Sequence, residues 1–164
     1  MRRVPRGTTP IAIGGVIAVT LYAVAAALQI LVLTPLAVAP GRSLGEIRAE
    51  MDAAGEGLGE AGTLVILGLG VAIAVITAVT IIRSRVRPAP AAIFMLALLA
   101  AGGPAFFIAS FGPGMSLADT YFVSAGITLP GVLPFYAVSA LAAAAAVVVA
   151  LGGVARERRI PASV

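Results

Sequence analysis

Four stretches of the chain carry no charged residue: Gly7–Gly41, Ala61–Ile82, Pro88–Ala118 and Thr120–Ala155. A helix rising 1.5 Å per residue needs about 20 apolar residues to cross a hydrocarbon core of about 30 Å, so each stretch is long enough to span. The pattern predicts membrane helices over Ile11–Thr34, Gly62–Ile82, Ala91–Ser110 and Gly131–Val154, with two segments between them on one side, residues 35–61 and 111–130. The expected fold is an all-α integral membrane protein, a single domain over residues 1–164 with four transmembrane helices.

Only Pro40–Ala61 has a surface-like pattern. Leu44, Ile47, Met51, Ala54 and Leu58 recur at spacings of three and four, an apolar stripe on a helix. Ser43-Leu44-Gly45-Glu46 fits a capping box, in which hydroxyl and carboxylate satisfy free amides at a helix start. Gly55, Gly57 and Gly59 weaken the C-terminal part of this segment, since each costs about 1 kcal/mol against alanine in a helix. A short amphipathic helix over Leu44–Ala54 is therefore expected in the first loop. Its polar face is acidic, so its stripe should rest on its own bundle or on another membrane protein rather than on anionic lipid.

Composition sharpens this. The chain is 60% hydrophobic and 11% charged, against about 25% charged in a soluble domain. It has no cysteine and no histidine, which removes thiolate chemistry, disulfides, histidine general bases and the usual haem and zinc ligands. No carboxylate lies within the four spans, as ion-coupled carriers require. Hence no catalytic, cofactor-binding or metal site is expected, and the protein should not be an enzyme.

Net charge is +4, but its placement argues against nucleic acid. Arg2, Arg3, Arg6, Arg83, Arg85, Arg87, Arg156, Arg158 and Arg159 stand on one side of the threading, with Glu157. Arg42 and Arg48 stand on the other, with Glu46, Glu50, Asp52, Glu56, Glu60 and Asp119. An arginine excess on one side marks cytoplasmic loops. Both termini are therefore expected in the cytoplasm, and the location is expected to be a bacterial plasma membrane. Residues 1–39 could also be read as a secretory signal ending at Ala37-Val38-Ala39, but the apolar run exceeds the usual 7–15 residues and Pro40 comes directly after.

Small residues should supply helix contacts in lipid, where apolar burial does not. Gly14-Gly15, Gly68 with Ala72, Gly70 with Ala74, and Ala142–Ala146 are candidates. Pro35 and Gly102-Gly103-Pro104 should break or bend their helices. The few deep polar groups are Thr20, Tyr22, Gln29, Thr77, Thr80 and Ser139, and Gln29 is expected to bond across helices.

Pro40–Glu46 and Pro113–Asp119 both read P-G-x-S-L-x-acid, and the same offset of 73 lays Arg83, Arg85, Pro88 and Ala89 on Arg156, Arg158, Pro161 and Ala162. Duplicated hairpins, 1–83 and 84–164, would produce this, as would convergent turn chemistry. Phe106, Phe107, Phe111, Tyr121, Phe122, Phe135 and Tyr136 cluster at one end of the second half, either as a headgroup-level belt or around an apolar pocket roofed by the two loop segments. The expected function is a non-catalytic accessory, assembly or scaffold subunit acting through its acidic helix. The alternative is an uncoupled transporter or lipid-binding protein with an outward pocket. A surface enzyme using Asp119 is the weakest reading, since no general base accompanies it.

Overall fold

The computed structural model describes residues 7–124 and 129–158, without the side chains of 129 and 156–158. Arg2, Arg3, Arg6, Arg159, Pro161 and Ala162 lie outside the described residues. Among the described residues all regular structure is helical. Four rods are long and apolar enough to cross a membrane: Thr8–Val38, Glu60–Arg83, Pro88–Tyr121 and Pro130–Ala155.

The first rod comprises α1 (Thr8–Leu28), a single π turn (Gln29–Leu33) and α2 (Thr34–Val38). A short α3 (Leu44–Ala53) leads to α4 (Glu60–Arg83). The third rod is α5 (Pro88–Ala100) and α6 (Gly102–Tyr121), parted by a turn at Ala101, and α7 (Leu129–Arg158) is the fourth. Both interruptions have covalent causes. Pro35 has no amide to continue the ladder, and the Thr34 amide reaches back five residues to the Gln29 carbonyl. Pro104 likewise has no amide, and Gly102-Gly103 before it offers little resistance to bending. Under the offset of 73, Gln29 falls on Gly102, one residue past the turn at Ala101, but Pro35 falls on Ile108 rather than on Pro104. The two heptapeptides also differ in conformation: Ser43 caps α3, whereas Pro113–Asp119 is helical throughout.

α1 packs on α4 and α5, α5 also on α7, and α4 on α6. α7 is the most peripheral rod, with 11% of its apolar window buried against 22% for each of the others. At one end the Thr8 hydroxyl donates to the Val86 carbonyl at 2.8 Å, next to the arginine-bearing turn. Ala12, Ala78, Ile81, Ala91 and Met95 form the core there. At mid-depth Ala26, Ile30, Leu67, Phe106 and Ala109 take over. At the other end α3 lies against α6, with Ile47 and Met51 buried beside Ala39, Leu58 and Leu117.

The small residues divide sharply. A Cβ on Gly15 would fall 2.5 Å from Met95, so α1 and α5 touch there, and Ala74 is wholly buried. By contrast Gly14, Gly68 and Gly70 have nothing within 4 Å, and Ala72 is exposed. Those positions are not contact faces within the chain, because a helix in a four-rod bundle turns only part of its surface inward.

The third rod is longer than its apolar run. Its 34 residues correspond to roughly 50 Å at 1.5 Å per residue, well beyond the hydrocarbon thickness. Thr63 of the second rod and Gly59 just before it give the level: the Thr63 hydroxyl donates to the Ala109 carbonyl at 3.0 Å, and Gly59 stands beside Pro113. α6 therefore continues past the first charge of α4, Glu60, to meet α3.

That Thr63 bond has a definite cause. Pro113 cannot donate to Ala109 four residues earlier, and a carbonyl without a partner in lipid costs several kcal/mol. Thr63, 1% exposed, supplies the donor. Thr63→Val, which keeps the shape and removes the donor, is expected to destabilise the bundle by about 1–3 kcal/mol in a denaturing-detergent titration. That exceeds the roughly 0.6 kcal/mol average for hydrogen bonds between membrane helices, because the helix ladder supplies Ala109 with no alternative donor.

Candidate functional site: an apolar cleft at the α3 end

An apolar cavity of about 380 Å³ lies between the first and third rods. Ile30, Thr34 and Val38 form one wall, spaced four apart along the π turn and α2. Phe106, Phe107, Ser110, Phe111 and Leu117 stand on the facing wall, α6, with Val132 of α7 and Val123 and Ser124 closing the side. No lining residue is ionisable. The Ser110 hydroxyl donates to the Phe107 carbonyl at 3.1 Å, so its one donor is used inside the helix.

The aromatic residues separate into three roles. Phe106 is core as well as wall, 1% exposed and stacked on Phe135 with centroids 4.5 Å apart. Tyr22 and Tyr136 meet that pair edge-on, at 5.5 Å from Phe135 and 5.9 Å from Phe106. Phe107 and Phe111 pack on each other at 5.9 Å and show an exposed edge beside the cavity, and Phe122 is almost entirely exposed. Tyr121 belongs to neither group, because its hydroxyl donates to Glu50 at 2.8 Å. Exposed aromatic rings and a cavity thus share the same end of the molecule. The two loop segments contribute unequally: residues from 111–124 supply much of the lining, whereas the first segment reaches it only through Val38 at the end of α2, with nothing from Pro40–Ala61. The buried stripe of α3 is already occupied with Leu117 and Ala39, which holds that helix to one side. Residues 125–128 of the second segment lie outside the described residues.

Under the cavity sits a polar node where three rods meet. The Ser139 hydroxyl lies 3.3 Å from the Leu99 carbonyl and 3.4 Å from the Tyr22 hydroxyl, and Tyr22 is 3.4 Å from the Phe135 carbonyl. These are long for hydrogen bonds between oxygens. Gly102 and Gly103 make the node possible: a Cβ would lie 2.9 Å from the Tyr22 ring at the first and 3.2 Å from Ser139 at the second. Gln29 departs from expectation. Its amide donates to Thr34 at 3.2 Å across the π turn of its own rod, and it packs against Gly131 of α7 without a hydrogen bond to it. The π turn brings residues five apart into line, so the local partner is the nearer one.

At the α3 end the charges are paired rather than pooled. Ser43 caps α3 as expected, with the Glu46 carboxylate accepting from the Ser43 amide at 2.7 Å. The backbone and hydroxyl donors of Ser43 hold the Glu46 carboxyl below the usual carboxylate range. Arg42 pairs with Glu50 at 2.6 Å and Arg48 with Glu60 at 2.7 Å. Among the described residues no three acidic side chains gather into a group that could hold a metal ion. A second, more polar dent beside Arg48, Asp52 and Glu60 lies over the latter ion pair. Asp119 is exposed on α6.

Four helices long and apolar enough to cross a membrane, with a largely apolar cleft between two of them, are compatible with a membrane-spanning bundle. Comparison of the chain with protein-family models, curated proteins and solved structures finds no match.

Proposed function

We propose that the protein is a non-catalytic, multi-pass plasma-membrane protein, bacterial by expectation, that holds one apolar molecule, a lipid chain in the first instance, in the cleft between α2 and α6. The cleft carries this reading. Its volume falls within the roughly 300–1,000 Å³ of small-molecule sites, and its walls are apolar and aromatic without an ionisable group. With no carboxylate or arginine at that depth, any movement of the molecule through the bundle would be uncoupled. On this reading the Arg83–Arg87 turn faces the cytoplasm with both termini, and α3 and the cleft face outward, a choice supported by the arginine asymmetry of the loops.

The second reading, an accessory or assembly subunit, rests on α3 and its carboxylates. Because Ile47 and Met51 are spent on the bundle itself, such a partner would have to meet the charged face of α3, which makes this the weaker of the two.

Gentle extraction and then native mass spectrometry test the first reading. The wild-type protein is expected to retain one lipid, and Ser110→Phe, which fills the cleft, to reduce retention at least about tenfold, corresponding to about 1.4 kcal/mol. Equal retention by both proteins, or none by the wild type, would reject it. Since the chain has no cysteine, Ser84→Cys in intact cells reads the threading directly, and labelling from outside by an impermeant maleimide would reverse it.

A further inference from the structure

We propose that the Arg42–Glu50–Tyr121 contact is a strap that holds the α2 wall of the cleft against the α6 wall, and that its release opens the cleft about the joints beneath. This rests on reading the cleft as a binding site. Each wall belongs to a rod that is interrupted just below it. Ile30, Thr34 and Val38 all lie at or beyond the π turn that begins at Gln29, and the α6 residues of the cleft all lie beyond the turn at Ala101. Pro35 and Pro104 remove the amides that would stiffen those points, and rods bend where the ladder is broken. Tyr22 of α1, seven residues before the π turn, packs over Gly102 at the second joint, and the hydrogen bonds around it are the long ones of the node.

Above the walls the arrangement reverses. Arg42 comes shortly after the α2 wall, its amide held to the Ala39 carbonyl at 3.2 Å. Tyr121 is the last residue of α6. One carboxylate takes both: Glu50 accepts the Arg42 guanidinium at 2.6 Å on one oxygen and the Tyr121 hydroxyl at 2.8 Å on the other. Beyond the apolar packing of Val38 and Ala39 with Ile47, Met51 and Leu117, the two walls are joined at the top by one polar side chain of α3, Glu50.

The remaining contacts decide which wall moves. α6 is separately fixed to α4 by Thr63 on Ala109, and α3 is fixed to α4 by Arg48 on Glu60. Among the described residues the α2 wall has no such bond to α4. Helix α2 itself is five residues long, with the π turn on one side and Arg42 shortly beyond the other. Arg42 is half exposed, and an exposed ion pair is weak enough to exchange readily. That suits a fastening which must come undone.

The test uses the absence of native cysteine. Spin labels at Leu36→Cys on α2 and Ile108→Cys on α6, both exposed positions outside the cleft lining, report wall separation in phosphatidylcholine nanodiscs. Glu50→Gln and Arg42→Gln are each expected to shift the distance distribution longer and broader, by more than the roughly 1–2 Å of ordinary helix adjustments. A second label pair at Ile13→Cys and Phe94→Cys, at the opposite end of α1 and on α5, should not move. An unchanged Leu36–Ile108 distance overturns the strap, as does equal broadening of both pairs, which would mean general loosening. Binding is scored separately by lipid retention. If the walls part while Ser110→Phe leaves retention untouched, the strap stands and the lipid reading falls; if retention drops with Ser110→Phe while Glu50→Gln leaves the distance fixed, the reverse holds.

Discussion

Gly15→Leu is expected to prevent α1 and α5 from packing and to leave little folded protein. A Cβ at Gly15 would lie 2.5 Å from Cγ of Met95 and 2.6 Å from its Cβ and Sδ. The end of a methionine side chain could swing aside, but its Cβ is fixed to the α5 backbone, so the helices themselves must separate. Met95 is 4% exposed and shares its cluster with Ala12, Ala78, Ile81 and Ala91, so the separation spreads through the arginine-end core. The cost is expected to reach or exceed about 3 kcal/mol, the upper end of ordinary overpacking. Gly14 supplies the control. It is the adjacent residue of the same helix with nothing within 4 Å, and Gly14→Leu should leave stability within about 0.5 kcal/mol. Denaturing-detergent titration of both variants decides the matter; equal behaviour would mean that α1 turns a different face to α5.

Phe106→Ala carries the second large effect, and the bilayer sets its size. In a water-soluble core such a truncation costs about 3–5 kcal/mol, part of which is the transfer of apolar surface from water. In lipid that transfer contributes almost nothing, because the chain's surroundings are as apolar as its interior. What remains is the void and the lost ring contacts with Phe135 and Tyr136, each aromatic pair contributing about 0.5–1.5 kcal/mol. A loss of about 2–3 kcal/mol is expected, together with a cleft enlarged at its base and weaker discrimination among bound chains. Phe107→Ala, one residue along and 55% exposed, should cost under about 0.5 kcal/mol. Native mass spectrometry and a detergent titration on the same two variants separate the packing role from the wall role.

These contrasts show how differently neighbouring residues act once depth and direction are known. Gly14 and Gly15 are indistinguishable by type, as are Phe106 and Phe107. No periodicity argument separates them, because rods apolar on every side offer no polar face to mark the outside. The acidic α3 is the opposite case: its stripe of Leu44, Ile47 and Met51 is written in plain contrast to the charges beside it, and Ile47 and Met51 are the residues buried. Only Ala54 of that stripe stays exposed, because the helix ends at Ala53 and the register is lost.

The sequence alone determined that the chain is helical, that four of its segments are long and apolar enough to cross a membrane, that Ser43 caps α3, and that the first and third rods are interrupted near Pro35 and Gly102-Gly103-Pro104. Each of these depends on residues close together in the chain: charge-free length, a hydroxyl three residues before a carboxylate, an imide without its amide hydrogen. The tertiary structure alone decided that Thr63 answers the carbonyl freed by Pro113, that Gln29 turns to Thr34 rather than to another rod, that Glu50 joins Arg42 to Tyr121, and that a cleft opens between α2 and α6. Those depend on how rods of nearly uniform surface rotate and slide against one another. In lipid that choice is made by close steric fit and a few hydrogen bonds rather than by hydrophobic contrast, so it leaves almost no trace in the pattern of residues along the chain.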